Sequence, residues 1–368
     1  MRIALVTEFY HPHLGGVTEH VHNLALEFQS RGHEVTVITS NMRGQGDDAE
    51  FVWRIGTSRV IYRSGSFARV TTGWGLTRRI TDLLRERQIE VVHVQDVIAP
   101  TLGLVASSAA WRLGLPVIAT SHTWFSRALA YQCLRPWLQR RLDRLAARIA
   151  VSEPVVQAMS MYFRGDWEII PNGVNVEHFH PCARRPTDYL SRGPRLLFLG
   201  RFDPRNGLDT VLRAMPAILG RYPDTKLVVV GDGPLRSHYE RQATPLGSSV
   251  QFVGQMNGER PEYYAGADLY LCPTTKASFG VTLLEAMACG TPMIVSDITG
   301  FRELIDGGDE AVLVPKDDAA AWASATMELM GDSCRREAMA SSGLAKARRF
   351  AWPVVADRVL AVYDRVKR

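Results

Sequence analysis

Short runs of apolar, β-branched residues alternate with helix-patterned segments, stop, and then begin again, and this double series limits the chain to two parallel-sheet units. The first series is RIALVT, EVTVITS, EVVHVQ, LPVIAT, ARIAVS and WEIIPN; the second is RLLFLG, KLVVVG, SVQFVG, DLYLCP, TPMIVS and AVLVP. Runs that are apolar almost throughout, spaced by helix lengths, suit strands covered by helices on both faces. A chain of 368 residues also exceeds what one core usually organises. Between the two series lies HPCARRPTDYLSRGP, rich in proline and arginine and poor in apolar side chains, as a solvated linker requires. The fold class is α/β. The boundary is expected near Pro186 to Gly193, giving domains 1–185 and 186–368, with the last helix a candidate to pack back on the first.

Composition removes several classes of protein. At 46% hydrophobic and 22% charged residues the chain is ordinary for a soluble globular protein, and no apolar run approaches the ~20 residues needed to cross a bilayer. The N-terminal MRIALVTEFYHP has too short an apolar stretch for a signal peptide and reads as a buried strand, so residence in the cytoplasm is expected. Five scattered cysteines without CxxC spacing suggest small buried hydrophobes rather than a disulfide framework or a zinc site. The net charge of +5 favours an anionic partner: a nucleotide diphosphate, an acidic lipid surface or nucleic acid. Nucleic acid is set aside, since no RNA-binding motif, zinc finger or clear helix-turn-helix is visible.

In open α/β sheets ligands sit beyond the carboxyl ends of strands, so the loops there carry the chemistry. HPHLGGV follows the first strand, and Gly15 and Gly16 at its turn allow close approach of a phosphate to the helix pattern Val17–Ser30. A purely structural glycine pair explains that turn equally well. The dinucleotide fingerprint GxGxxG is absent, which counts against a dehydrogenase. In the second half Arg201 stands just after a strand, where a guanidinium can pair with phosphate oxygens, and Gly231 and Gly233 of GDGPLR end the next strand in a tight loop. Further on, Ser278, Phe279 and Gly280 lead into the helix Val281–Ala288, whose free N–H groups form an anion site, with Glu285 one turn along. The histidines His11, His13, His20 and His22 lack supporting ligands at zinc-like spacing, and no metal site is expected.

Together the GG turn, SHT (121–123), VSE (151–153), IPNGV (170–174), GR (200–201), GDGPLR and SFGVTLLEAMACGTP resemble the family 4 retaining glycosyltransferases of GT-B fold, through nearly the whole chain. Within that family the stretch SHTWFSRALAYQCLRPWLQRRLDRLAARIAVSE and the donor loop are similar to phosphatidylinositol mannosyltransferases. The resemblance implies two Rossmann-like domains facing across a cleft, with no cofactor beyond the donor, a nucleotide-diphosphate sugar. GDP-mannose is the first choice and a UDP-sugar the second. It implies Glu285 on the ribose hydroxyls, the backbone of Phe279, Gly280, Val281, Thr282 and Leu283 on diphosphate and sugar, and Arg201 on the leaving diphosphate, with Ser278 and Met256 on the donor side. Gly16 would face the diphosphate and His122 the sugar. Transfer would proceed with retention by front-face attack, the departing phosphate taking the acceptor's proton.

Two positions depart from the family pattern: Asn206 stands where a lysine is expected, with Arg205 beside it as a partial substitute, and Ala277 replaces the first of two paired glutamates. They support a rival reading, a protein that binds nucleotide without turnover. A UDP-sugar transferase with a soluble acceptor is a nearer alternative, and a nucleotide-sugar epimerase a more distant one. For the acceptor, Arg127, Arg135, Arg140, Arg141, Arg144 and Arg148 face a single acid, Asp143, and Leu134, Leu138, Leu142, Leu145 and Ile149 would form one apolar helical stripe. A basic amphipathic helix suits an anionic membrane surface; a packed surface helix is the plainer alternative. RSGSFARVTTGWGLTRR, with Phe67, Arg69, Trp74 and Arg78, is a second candidate, and Tyr10 is placed on the acceptor side. Peripheral association with the inner face of the plasma membrane and a lipid acceptor such as phosphatidylinositol follow from the resemblance.

Overall fold

The computed structural model describes residues 1–13, 15–42, 48–63, 66–96, 101–123, 129–183, 186, 193–256, 258–305 and 307–367. The chain divides into two compact units, residues 1–172 with 352–368, and residues 173–351.

The first unit is built on β1 (Arg2–Val6), β2 (Glu34–Asn41), β3 (Val52–Arg63), β4 (Ser66–Thr72), β5 (Val91–Gln95), β6 (Val117–Ser121), β7 (Ala147–Ala150) and β8 (Glu168–Ile169), in the order β4-β3-β2-β1-β5-β6-β7-β8. All neighbours pair in parallel except β3 with β4, an antiparallel hairpin at the edge. Ile3, Leu5, Val35, Val37, Val91, Ile118 and Ile149 pack against Val21, Leu24 and Phe28 of the helix Gly16–Ser30. The same core takes Trp352, Val355, Val359, Val362 and Tyr363 from the chain's last helix, Trp352–Lys367. That helix is also tied by Lys367 to Glu90 (2.6 Å) and by Arg358 to the carbonyl of Ile169 (2.5 Å).

The second unit carries β9 (Arg195–Leu199), β10 (Lys226–Val230), β11 (Val250–Gly254), β12 (Leu269–Cys272), β13 (Met293–Ser296) and β14 (Val312–Val314), parallel throughout, in the order β11-β10-β9-β12-β13-β14. Its core joins Leu196, Phe198, Leu227, Val229, Leu269 and Ile294 to Leu208, Val211, Met215 and Ile218 of the helix Leu208–Arg221. The unit begins earlier than the proline-rich segment because residues 173–180 already belong to it: Val174 bridges Ala351, and the Phe179 ring lies 6.2 Å from that of Tyr264.

Each sheet reverses direction once. The first series runs outward from β1 to β4 and resumes at β5 on the other side of β1; the second runs from β9 to β11 and resumes at β12 beside β9. Crevices at such reversals, beyond the carboxyl ends of the strands, are where open α/β sheets bind ligands.

Candidate functional site

In the second unit the reversal lies between β9 and β12, and the loops after those strands are fastened together. Thr275 donates to the carbonyl of Arg205 through its backbone N–H (2.7 Å) and its hydroxyl (3.1 Å). Gly207, at φ +71°, lies so close that a Cβ there would sit 2.1 Å from the Pro273 carbonyl oxygen. The loop after β10 joins them: Phe202 N–H donates to Asp232 (2.9 Å) and Gly200 N–H to Val230 (3.0 Å). A Cβ on Gly231 would meet the Gly200 oxygen at 2.0 Å, and one on Gly233 the Phe202 oxygen at 2.7 Å. Arg201, Asn206, Gly231 and Gly233 thereby lie on loops that are fastened to one another and to Pro273 and Thr275 after β12. Arg201 is exposed there, and so is Arg205, whose guanidinium stands 3.9 Å from Asp203. Met256, just past β11, is half-buried.

Asn206 does not face outward as a free donor. Its amide donates to the carbonyl of Arg201 (2.8 Å), closing a tight turn in which Asp203 caps Arg205 N–H (3.0 Å). An asparagine can make this closure because it presents a short, neutral donor.

The loop from Ala277 reaches the helix Val281–Ala288 as its sequence suggests. Gly280 supplies the N-cap at φ +104°, and no side chain caps the helix, so its first N–H groups are available to an anion. Behind the loop Gly300 packs so closely that a Cβ would lie 2.0 Å from the Ala277 carbonyl oxygen. Ser278 is half-buried and Phe279 buried, its ring 6.1 Å from that of Phe350.

Glu285, one turn along the helix Val281–Ala288, is a buried carboxylate. It is 2% exposed, and its two oxygens accept from Arg260 Nη1 (2.8 Å) and from the Tyr264 hydroxyl (3.1 Å). Burial, then the negative Glu285, hold the Tyr264 hydroxyl well above its ordinary pKa, so it stays a donor. Two such bonds hold the carboxylate in one orientation. Arg260 in turn lies over the Phe179 ring at 5.4 Å. Neither Arg260 nor Tyr264 was recognised from sequence; both sit on the separate helix Arg260–Gly266, and only their fold-level meeting with Glu285 reveals them.

In the first unit the reversal lies between β1 and β5. Gly15, extended at φ 165°, is the uncapped N-cap of its helix, and a Cβ there would meet no atom nearer than 3.7 Å, so the turn does not demand glycine for space. Gly16 is the first residue of the helix, exposed beside it. After β1 the buried Glu8 accepts from Leu102 N–H (2.6 Å) and from the Thr71 hydroxyl. His122 follows β6 and is 8% exposed, its Nε2 2.6 Å from Gln95 Oε1 and its backbone N–H donating to Asp96 Oδ1 (3.0 Å). Burial, then the neighbouring His20 and His93, push its pKa well below 6.5, so the ring is neutral. Tyr10, expected at the acceptor side, is instead inside the core, 2% exposed, with its hydroxyl 3.0 Å from His22 Nδ1.

Of the basic acceptor-side residues, Arg127 lies outside the described residues, as does the side chain of Phe67 on β4. The amphipathic helix is shorter than expected: it spans Leu129–Leu142, while Arg148 and Ile149 belong to β7, from which Arg148 pairs with Asp143 (3.3 Å). Leu138 and Leu142 are buried, whereas Leu134 is 51% exposed. Arg141 is half-buried, its guanidinium 4.8 Å from the Trp111 ring and its Nη2 on the Leu104 carbonyl (2.7 Å), so it packs rather than reaching out. Arg144 covers the same ring at 4.4 Å, and Arg140 is exposed. Trp74, between Gly73 and Gly75 at the start of the helix Leu76–Glu86, is 98% exposed, with Arg78 open beside it and Arg69 half-buried on β4. Among the described residues no group of three His, Cys, Asp or Glu side chains could hold a metal ion, and no helix is long and apolar enough to cross a membrane.

Residues 14–178 match the family described as Glycosyltransferase Family 4, and residues 193–332 that described as Glycosyl transferases group 1. The phosphatidyl-myo-inositol mannosyltransferase of Mycobacterium tuberculosis (strain CDC 1551 / Oshkosh) is 33% identical over 373 residues, covering 100% of this chain and 97% of that protein. A GDP-mannose-dependent alpha-(1-6)-phosphatidylinositol dimannoside mannosyltransferase of Mycobacterium tuberculosis (strain ATCC 25177 / H37Ra) is 28% identical, covering 98% of this chain and 95% of that protein. Among solved structures, Anabaena HepE in complex with UDP superposes with a TM-score of 0.79 at 18% identity, over 99% of this chain and 100% of that one, a likeness of fold.

Proposed function

The chain belongs to glycosyltransferase family 4, and from that membership we propose that it transfers mannose, with retention, from GDP-mannose to a membrane lipid of the phosphatidylinositol type. It is a hexosyltransferase of GT-B fold using a nucleotide-sugar donor. The observation that carries the finer reading is the 33% identity that runs the full length of the chain with a phosphatidyl-myo-inositol mannosyltransferase.

In this reading the diphosphate rests on the uncapped start of the helix Val281–Ala288, whose N–H groups and dipole favour an anion. Arg201, helped by Arg205, neutralises the charge that develops as the bond from the anomeric carbon to the phosphate breaks. Glu285, oriented by Arg260 and Tyr264, takes the ribose hydroxyls. Gly15 and Gly16 are assigned to the diphosphate and His122 to the sugar. The acceptor hydroxyl attacks the anomeric carbon on the face the phosphate leaves, and its proton passes to that phosphate. The exposed Trp74 and Arg78 suit an anionic membrane surface better than the packed Arg141 does.

The test is incubation with GDP-mannose or UDP-sugars, each with phosphatidylinositol vesicles or a soluble acceptor, followed by mass spectrometry of the lipids and of released nucleotide. A mannosylated lipid from GDP-mannose is expected. Transfer only from a UDP-sugar, or only to the soluble acceptor, would refute the proposal.

A further inference from the structure

We infer that Gln95 is a positioning residue for the transfer step: with Asp96 it fixes the His122 ring and its loop in one orientation and leaves ring Nδ1 as a hydrogen-bond acceptor for a hydroxyl of the bound sugar. This rests on the assignment of His122 to the sugar.

Gln95 and Asp96 are consecutive residues where β5 ends, and they hold His122 by different atoms. Gln95 is 4% exposed and its Oε1 lies 2.6 Å from His122 Nε2. A carbonyl oxygen only accepts, so Nε2 carries the proton, and a neutral imidazole protonated there has a bare Nδ1. The amide nitrogen of Gln95 bonds to no described residue, and the contact with His122 is made by the amide oxygen. Asp96 acts on the backbone. Its φ of +58° lies in the left-handed region that residues with a Cβ rarely adopt. It is kept there by its own N–H on the Thr120 carbonyl (2.8 Å), while its Oδ1 accepts from His122 N–H (3.0 Å) and its Oδ2 lies 3.5 Å from the Thr123 hydroxyl. Backbone strain of this kind, over-determined by its surroundings, clusters at functional positions.

The third side of the ring is closed by His20, whose own ring meets it edge-on at 4.8 Å and packs 5.5 Å from Trp352. No described residue bonds His122 Nδ1, and the residue keeps 8% of its surface open. Burial keeps the ring neutral, as an acceptor must be. A sugar hydroxyl donating to Nδ1 would be held in one orientation, and small errors in such placement are costly in rate.

The test uses the full chain labelled with 15N histidine, its two-bond 1H–15N spectrum recorded at neutral pH, with the His122 signals identified by their loss in H122A. The Nε2–H tautomer is expected; the Nδ1–H tautomer or an imidazolium overturns the proposal. In Gln95→Met, of similar shape but without the acceptor, His122 should populate both tautomers, and kcat should fall about tenfold or more with donor KM nearly unchanged. An unchanged kcat, or a fall confined to KM, overturns it. Should Q95M fail to fold, the wild-type spectrum decides alone. H122A transferring at the wild-type rate would refute the assignment of His122 to the sugar, and with it this proposal, a failure separable from that of Gln95 because the spectra report the tautomer without turnover.

Discussion

Glu285 owes its orientation to Arg260 and Tyr264, which precede it by 25 and 21 residues on a helix of their own. Only the parallel sheet brings the two helices together. With Glu285 side chain 3% exposed and Arg260 at 21%, replacing Arg260 by methionine leaves a carboxylate buried without its cation. A loss of about 3 kcal/mol in denaturant unfolding is expected, with much of it recovered in the double variant R260M/E285Q. Equal stability of R260M and the parent would show the pair to be dispensable. Asn206 is a similar case. The sequence shows a missing lysine; the structure shows an amide closing the Arg201 turn. Asn206→Ala should therefore weaken nucleotide binding several-fold by calorimetry, on the order of 1 kcal/mol, through the disordering of Arg201 rather than through any charge.

At the level of elements, twelve of the fourteen strands among the described residues announce themselves as apolar runs, since strands covered on both faces need little else. The hairpin β3–β4 does not. VWRIGTSRVIYR and SFARVTT mix arginine and serine with valine and tyrosine, the composition of an edge that must resist further pairing. The overlong helix has a related cause: Leu145 and Ile149 continue the spacing of Leu138 and Leu142, but the chain turns at 143–146 and enters β7, so the periodicity was an accident of adjacent elements. Two expectations belong here. Gly300→Ala would push the donor loop away from its bed, because the new methyl would meet the Ala277 oxygen at 2.0 Å; nucleotide affinity should drop more than thermal stability, where a loss of about 1–3 kcal/mol is expected. Trp74→Ala, removing a side chain that is 98% exposed, should leave the melting temperature unchanged and reduce binding to anionic vesicles in sedimentation. Undiminished vesicle binding would move the membrane contact elsewhere.

For the whole molecule, stability should fall on mild acidification. Burial lowers His20 from 6.5 to about 4, opposed weakly by Asn172, and lowers His93 to about 3, aided by His20; His122 is lowered as well. A ring whose folded pKa lies below its unfolded value binds its proton only on unfolding. Each therefore withdraws about 1.4 kcal/mol per pH unit once the pH drops below 6.5, until its folded pKa is reached. Asp96 works in the other sense, since burial raises it from 3.8 to about 6 and it favours the folded state as pH falls through that range. His22 and His33 are lowered by burial as well, and the five histidines outweigh the one aspartate, to be read as a falling melting temperature between pH 6.5 and 5; a flat profile would contradict it. The architecture also sets an order of events during synthesis. The last helix fills the first unit's core with Trp352, Val355, Val359, Val362 and Tyr363, and the polypeptide between, residues 173–351, forms a unit without it. The half that leaves the ribosome first must therefore wait with an open hydrophobic groove until the other half has been made. What is translated second can fold first, and a nascent chain of this kind stays exposed along that groove until residues 352–363 arrive to cover it.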